Sequence, residues 1–154
     1  MDKRKTSLAT RYFRLMKKIY DLKIPFLPKV MFHFMRIIFS CEIPFQSNIG
    51  EGTDFIHNGL GVVIHPEAKI GKYNKIMQNV TIGGRNGRGA PHIGDYCFIG
   101  VGACILGDIT IGNNVMIGAN AVVINDIPDN MVVVGIPGTI KKTTNESLIG
   151  KFKD

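Results

Sequence analysis

The sequence predicts an all-β solenoid, a stack of three-sided coils of short parallel strands led by a short helical arm. Three observations predict it. An aliphatic residue returns every six positions at Ile64, Ile70, Ile76 and Ile82, and again at Ile93, Ile99, Ile105, Ile111, Ile117 and Val123. A period of six is neither the 3.6 of a helix nor the 2.0 of a strand, and it marks an internal repeat. Gly follows the aliphatic at Gly71, Gly83, Gly94, Gly100, Gly112 and Gly118, where a residue without Cβ lets the backbone bend. The 45% hydrophobic and 20% charged content suits a soluble globular protein, and the repeats account for the 18 Gly.

Each hexad reads as a short strand and a bend, with the aliphatic pointing inward. Three hexads close a coil of 18 residues. Stacked coils cover one another's edges, and the aliphatics form ladders along a narrow apolar core. The pattern does not fix the handedness.

The chain divides into a basic, mostly helical arm (1–45), the solenoid (46–140, with an extruded loop at 83–92) and a polar tail (141–154). The charge is uneven. Residues 1–40 hold ten Lys/Arg against Asp2 and Asp21, a net of +8; residues 41–154 hold nine Lys/Arg against ten Asp/Glu, a net of −1. In residues 1–20, Leu8, Tyr12, Leu15, Met16 and Ile19 recur at helical spacing with basic residues between them. Pro25 and Pro28 interrupt the pattern, and 29–40 reads as a second, apolar helix too short to span a bilayer. His33 on it is expected to be packed. Two roles stand open for the arm: it caps the end of the solenoid, or it makes peripheral contact with an anionic membrane through residues 1–40. No nucleic-acid motif accompanies the charge. The three Cys show no metal spacing, which fits a reduced, cytoplasmic setting. No cleavable signal pattern is visible.

The solenoid begins near Ile49. Two breaks in its period single out residues. From Phe55 to Ile64 the spacing is nine, and His57 stands at the break. Repeat folds put insertions on one face, often the functional one. His65 falls in an ordinary hexad and reads as structural. Gln78 and Asn79 form polar ladders or face a ligand. From Ile82 to Ile93 the spacing is eleven, and the loop GGRNGRGAPH carries Arg85, Arg88 and His92. A Gly-rich basic loop on a rigid coil is an anion-binding element; it lacks the G-K-[ST] of a P-loop. Beyond Val123, residues 124–142 depart from the period.

The runs HNGLGVVI, MQNVTIGG, IGVGACILGDITIGNNVMIGANAVVINDIP and VVVGIPGTIKK resemble the bacterial serine acetyltransferases and their short relatives that acetylate sugars, over about residues 49–142. The resemblance implies a left-handed parallel β-helix of hexapeptide repeats. It also implies a homotrimer with acetyl-CoA in clefts between subunits. His57 falls on the family's catalytic histidine. Gly83 and Gly84 fall at the start of the loop flanking the CoA arm. Val101, Gly102 and Ala119 fall on coil positions that contact the coenzyme, and Lys141 and Lys142 lie where they can meet its phosphates. The sequence departs from the serine-specific pattern in three ways. Ile56 stands where those enzymes have Asp; Ala90-Pro91-His92-Ile93 replaces His-Pro-Lys-Ile; and residues 1–45 replace a long helical domain.

These readings lead to an acetyl-CoA-dependent O-acetyltransferase. His57 is the general base, backbone N–H groups stabilise the oxyanion, and neither an acyl-enzyme nor a metal is needed. Because Ile56 cannot pair with an ammonium group, the expected acceptor is a sugar hydroxyl in surface polysaccharide synthesis. Serine O-acetylation is the alternative, and a non-catalytic scaffold is the third reading.

Overall fold

The computed structural model of the chain describes residues 6–87 and 89–144. Two helices lead, α1 (Leu8–Asp21) and α2 (Leu27–Phe39). Strands of two to five residues follow in chain order: β1 (Asn48–Ile49), β2 (Asp54–Phe55), β3 (Val63–Ile64), β4 (Lys69–Ile70), β5 (Lys75–Ile76), β6 (Thr81–Gly83) and β7 (His92–Ile93). Then come β8 (Phe98–Ile99), β9 (Cys104–Leu106), β10 (Thr110–Ile111), β11 (Met116–Ile117), β12 (Val122–Val123), β13 (Met131–Val134) and β14 (Thr139–Thr143). They form the expected solenoid with three faces. Face I is β1-β4-β7-β10, face II is β2-β5-β8-β11-β13-β14, and face III is β3-β6-β9-β12. Every pairing is parallel except β13 with β14.

The hexad aliphatics are the rungs of the core. Ile49, Ile70, Ile93 and Ile111 stack inside face I; Phe55, Ile76, Ile99, Ile117 and Val133 inside face II; Ile64, Ile82, Ile105 and Val123 inside face III. All are buried. The pattern is longer than the sequence reading had it. Glu42 bridges Val63 and Ile43 is fully buried, so the coil starts a hexad before Ile49. At the other end Ile111 bridges Ile127, and β13 pairs with β11. Beyond Val123 the chain therefore drops two residues from one corner and resumes the period at Ile127 and Val133. Of the stretch expected as tail, residues 141–143 belong to strand β14, which runs Thr139–Thr143. Residues 145–154 lie outside the described residues.

The glycines after the aliphatics serve close approach rather than an unusual backbone angle. A Cβ on Gly71 would lie 2.6 Å from the carbonyl oxygen of Gly94, and one on Gly94 would lie 2.8 Å from the carbonyl carbon of Gly112. Each coil thus rests its peptide on the bare Cα of the coil before it. Gly83 is the exception, with nothing nearer than 3.5 Å. The left-handed backbone positions come later in each corner, at Tyr73, Tyr96, Asn114 and Asn130 between faces I and II.

The arm covers the exposed edge of the first coil. Ser7 caps α1 by accepting from the Thr10 N–H. Ala9, Phe13 and Met16, at helical spacing, turn onto the coil, where the Phe13 ring meets Phe55 edge-on at 6.4 Å. Met35 of α2 joins the same core. The first coil has no preceding coil to pair with, and polar side chains of α1 replace it. Arg14 donates to the carbonyls of Ile49 and Gly50. Thr10 Oγ1 donates to Asp54 Oδ1 at 2.7 Å and accepts the Phe55 N–H at 2.9 Å. Burial lowers the pKa of Arg14, with Glu51 acting the other way. His33, expected to be packed, is exposed on α2. Among the described residues no helix is long and apolar enough to cross a membrane.

Thr10 is the joint of this cap. Thr10→Val should cost about 1–3 kcal/mol, because it leaves the buried Phe55 N–H without its acceptor and takes one hydrogen bond from the buried Asp54 carboxylate, whereas Thr10→Ser should stay close to the parent. Urea unfolding of both variants checks this; equal stability of the valine variant would show that the helix does not replace the missing coil.

Candidate active site

The corner between faces II and III gathers most of the candidate residues. In the first coil it holds three residues more than its neighbours. They form a tight 3-10 turn, Ile56–Gly59. His57 (φ 54°) and Asn58 (φ 57°) are both left-handed, and Gly59 (φ 66°) and Gly61 (φ 69°) follow. Consecutive left-handed residues that are not glycine cost roughly 1–2 kcal/mol each and persist only where the surroundings hold them. Here the surroundings are specific. The Leu8 N–H, at the free N-terminus of α1, donates to Asn58 Oδ1 at 3.0 Å. Gly61 N–H donates to the Ser40 carbonyl, and Asn79 N–H donates to the Leu60 carbonyl. The turn projects His57 into solvent, with its neighbour Ile56 half-buried. Asp54, the nearest acid before His57 in the chain, is committed to Ser7 and Thr10 of the arm and to Lys75 of β5.

Beneath this turn the same corner repeats in each coil. Gln78 occupies it in the second, Val101 and Gly102 in the third, Ala119 and Asn120 in the fourth. Gly102 N–H donates to the Gln78 carbonyl at 3.1 Å, and Asn120 N–H donates to the Val101 carbonyl at 2.8 Å. His57, Gln78, Val101, Gly102 and Ala119 therefore line one vertical edge made of small side chains and backbone. Gln78 Oε1 is buried there with no hydrogen-bond partner among the described residues, an exception to the rule that buried acceptors are paired.

The remaining candidates lie elsewhere on the same chain. Gly83, Gly84 and Arg85 leave from the corner between faces III and I, where the five extra residues are extruded. The loop folds against the next coil: Gly107 N–H donates to the Gly83 carbonyl, and Arg85 and Gly89 lie over Gly107 and Asp108. Arg88 lies outside the described residues. His92 opens β7 and points outward from face I between Lys69 and Thr110 in register. It borders a shallow groove with Asn48, Lys72 and Asp95, not the His57 corner. Lys142 pairs with Val132 on β14, beside Lys141. Five strand steps separate β14 from β2, about 24 Å at 4.8 Å per step. Face III lies between the His57 corner and the loop corner, so no side chain of one protomer is shown to bridge them.

Other polar residues fall into structural roles. His65 Nδ1 accepts the Glu67 N–H at 3.2 Å. Burial pushes the Cys41 and Cys97 thiols up to about 12, so neither supplies a thiolate nucleophile near neutral pH. No group of three or more His, Cys, Asp or Glu that could hold a metal occurs among the described residues. Two residues that fix the coil escaped the sequence reading. Asn58 was legible only as the residue after His57. Its role depends on a helix terminus 50 positions away. Asn74 is fully buried and ties two coils together, donating to the Gly94 carbonyl and accepting the Cys97 N–H.

Comparison with known proteins bears on this arrangement. Residues 90–125 match the family described as bacterial transferase hexapeptide (six repeats). A serine acetyltransferase of Synechococcus elongatus is 40% identical over 125 residues, covering 79% of this chain and 51% of that protein. The chain thus spans about half the length of this relative. Among solved structures, Neisseria gonorrhoeae serine acetyltransferase in complex with serine superposes with a TM-score of 0.80 at 32% identity, over 87% of this chain and 55% of that one. A serine acetyltransferase in complex with CoA superposes at 0.78 and 30% identity, over 86% and 55%. These findings overturn the sugar-acceptor expectation. It rested on Ile56 and the basic arm, and the chain's matches are serine acetyltransferases despite both.

Gly61 tests how strictly the turn is held. A Cβ there would lie 2.0 Å from Asn79 Oδ1 at a left-handed φ. Gly61→Ala should therefore cost at least about 1–2 kcal/mol, read as a lowered unfolding midpoint. A neutral outcome would mean the corner can shift by an ångström.

Proposed function

We propose that this chain, a serine acetyltransferase-like member of the hexapeptide-repeat acyltransferase superfamily, moves the acetyl group of acetyl-CoA to the hydroxyl of serine. The observation that carries the reading is the exposed His57, held on two left-handed residues at the head of a smooth edge. A long thin donor needs such an edge: small side chains let it approach the backbone, and the coil repeat offers amides at even spacing. On this reading Gln78 Oε1 accepts from an amide or hydroxyl of a bound substrate. Val101, Gly102 and Ala119 form the wall along which the CoA arm lies, and Lys141 and Lys142 neutralise its phosphates at the far end.

The chemistry is a direct transfer. His57 accepts the proton of the serine hydroxyl as its oxygen attacks the thioester carbon. The tetrahedral oxyanion is met by backbone N–H groups of the edge or loop. The carbon–sulfur bond then breaks, and the leaving thiolate takes the proton back from the imidazolium. In place of a carboxylate before the histidine, the backbone turn fixed by Asn58 and α1 sets where the imidazole stands. Gly83, Gly84, Arg85, Arg88 and His92 act from the loop side. Because that loop leaves from a different corner, the complete site is formed between protomers, and the working unit is a homotrimer with the loop of one chain facing His57 of the next.

His57→Ala should lower turnover by about 10²–10⁴-fold, the scale of a lost general base, with CoA binding retained by calorimetry. His65→Ala should cost stability instead; the opposite pattern would assign the base to His65. The acceptor is checked by CoA release with L-serine, and a chain that binds acetyl-CoA but ignores serine would refute the serine reading. Light scattering should give three times the chain mass. An active monomer would remove the shared site.

A further inference from the structure

The helical arm uses only its inner side to cap the coil, and its outer side has a composition of its own. On α2, Leu27, Val30, Phe34, Ile37 and Ile38 are all exposed, with Ile37 at 76%. They recur at steps of three and four and so form one continuous stripe along the helix. Lys29, His33 and Arg36 make a second exposed stripe beside it. The turn into α2 extends the apolar surface through Leu22, Ile24 and Phe26. Phe26 is 79% exposed although its backbone is left-handed (φ 62°), as is that of Lys23 (φ 58°). A bulky residue in that region is strained, yet the strain here holds an aromatic ring out into water. On α1 the exposed residues alternate in kind: Leu8, Arg11, Leu15, Lys18 and Leu22 fall on one face.

We infer that this outer face docks on an anionic lipid surface. The turn and α2 lie in the plane of the interface, and the basic side chains engage the headgroups. Three features point to that occupant. Large contiguous apolar surface bounded by charge marks an interaction site. The 13-residue α2 is too short to cross a bilayer and has the mixed apolar and cationic faces of an interfacial helix. The charge of the arm, +8 over residues 1–40 against −1 for the rest, is complementary to anionic lipid. Packing the same face against a second copy would bring like charges together. The capping contacts through Thr10, Arg14 and Phe13 all lie on the inner side and are undisturbed by docking. The inference is independent of which hydroxyl accepts the acetyl group.

Vesicle sedimentation of the full chain tests it, comparing phosphatidylcholine vesicles with vesicles containing about 30% phosphatidylglycerol. Binding is expected only to the anionic vesicles. Each removed cation should lower the partition coefficient about five-fold, so K23Q/K29Q should lose about twenty-five-fold and about 0.5 M salt should release most of the protein. F34S/I37S should lose roughly ten-fold or more while melting temperature and acetyl-CoA binding stay unchanged. Failure to sediment with anionic vesicles overturns the inference. So does equal binding to neutral ones. If F34S/I37S instead lowers the mass measured in solution, a second copy covers the face and the lipid assignment is wrong.

Discussion

The structure depends on a stacking constraint. Every rung must sit one strand spacing above the last, with its N–H groups aimed at the carbonyls below and its aliphatic inside. At the corners this brings backbone against backbone so closely that Gly71 and Gly94 leave no room for a Cβ. A coil built this way cannot absorb an extra residue along a face, since a slip would turn the core ladder out to water. Extra residues are expelled at the corners. That is why both insertions in the coil, the His57 turn and the Gly83–Pro91 loop, stand at corners while the faces between them stay regular. A rigid wall that extrudes irregular segments at fixed heights suits chemistry that needs groups held in place.

The arm links stability to this chemistry. The first coil carries the His57 turn and is also the coil with no predecessor, so it most needs a cap. One helix meets both needs. The side of α1 built from Ala9, Phe13 and Met16 closes the core, Thr10 and Arg14 satisfy the open edge, and the N-terminal N–H of Leu8 holds Asn58. The Synechococcus elongatus serine acetyltransferase is about twice as long as the segment it shares with this chain. In this chain about forty residues, with their outer face left in solvent, close the end of the solenoid.

The acceptor shows the limit of arguing from a missing residue. An Ile before His57 removes one carboxylate, and the physical point that Ile56 cannot pair with an ammonium group stands. It says nothing about what else in an assembled site could do so. The buried Gln78 Oε1 on the same edge, without a partner among the described residues, is an acceptor that an inventory of charges passes over.

The sequence by itself determined the solenoid, its ladder residues and the two corners where the period fails, because a six-residue period has one cheap solution in space and deviations from it can be counted. It also marked His57. A closer count would have found Ile43, Ile127 and Val133, which keep the spacing of six on either side of short interruptions. Only the tertiary structure decided the rest. It placed His57, Gln78, Val101, Gly102 and Ala119 on one edge and His92 on another face. It gave the arm an inner, capping side and an outer, exposed one, and it tied Leu8 to Asn58. These depend on which corner a residue reaches after several turns and on contacts between residues some 50 positions apart, and no local pattern encodes a contact whose two halves lie that far apart.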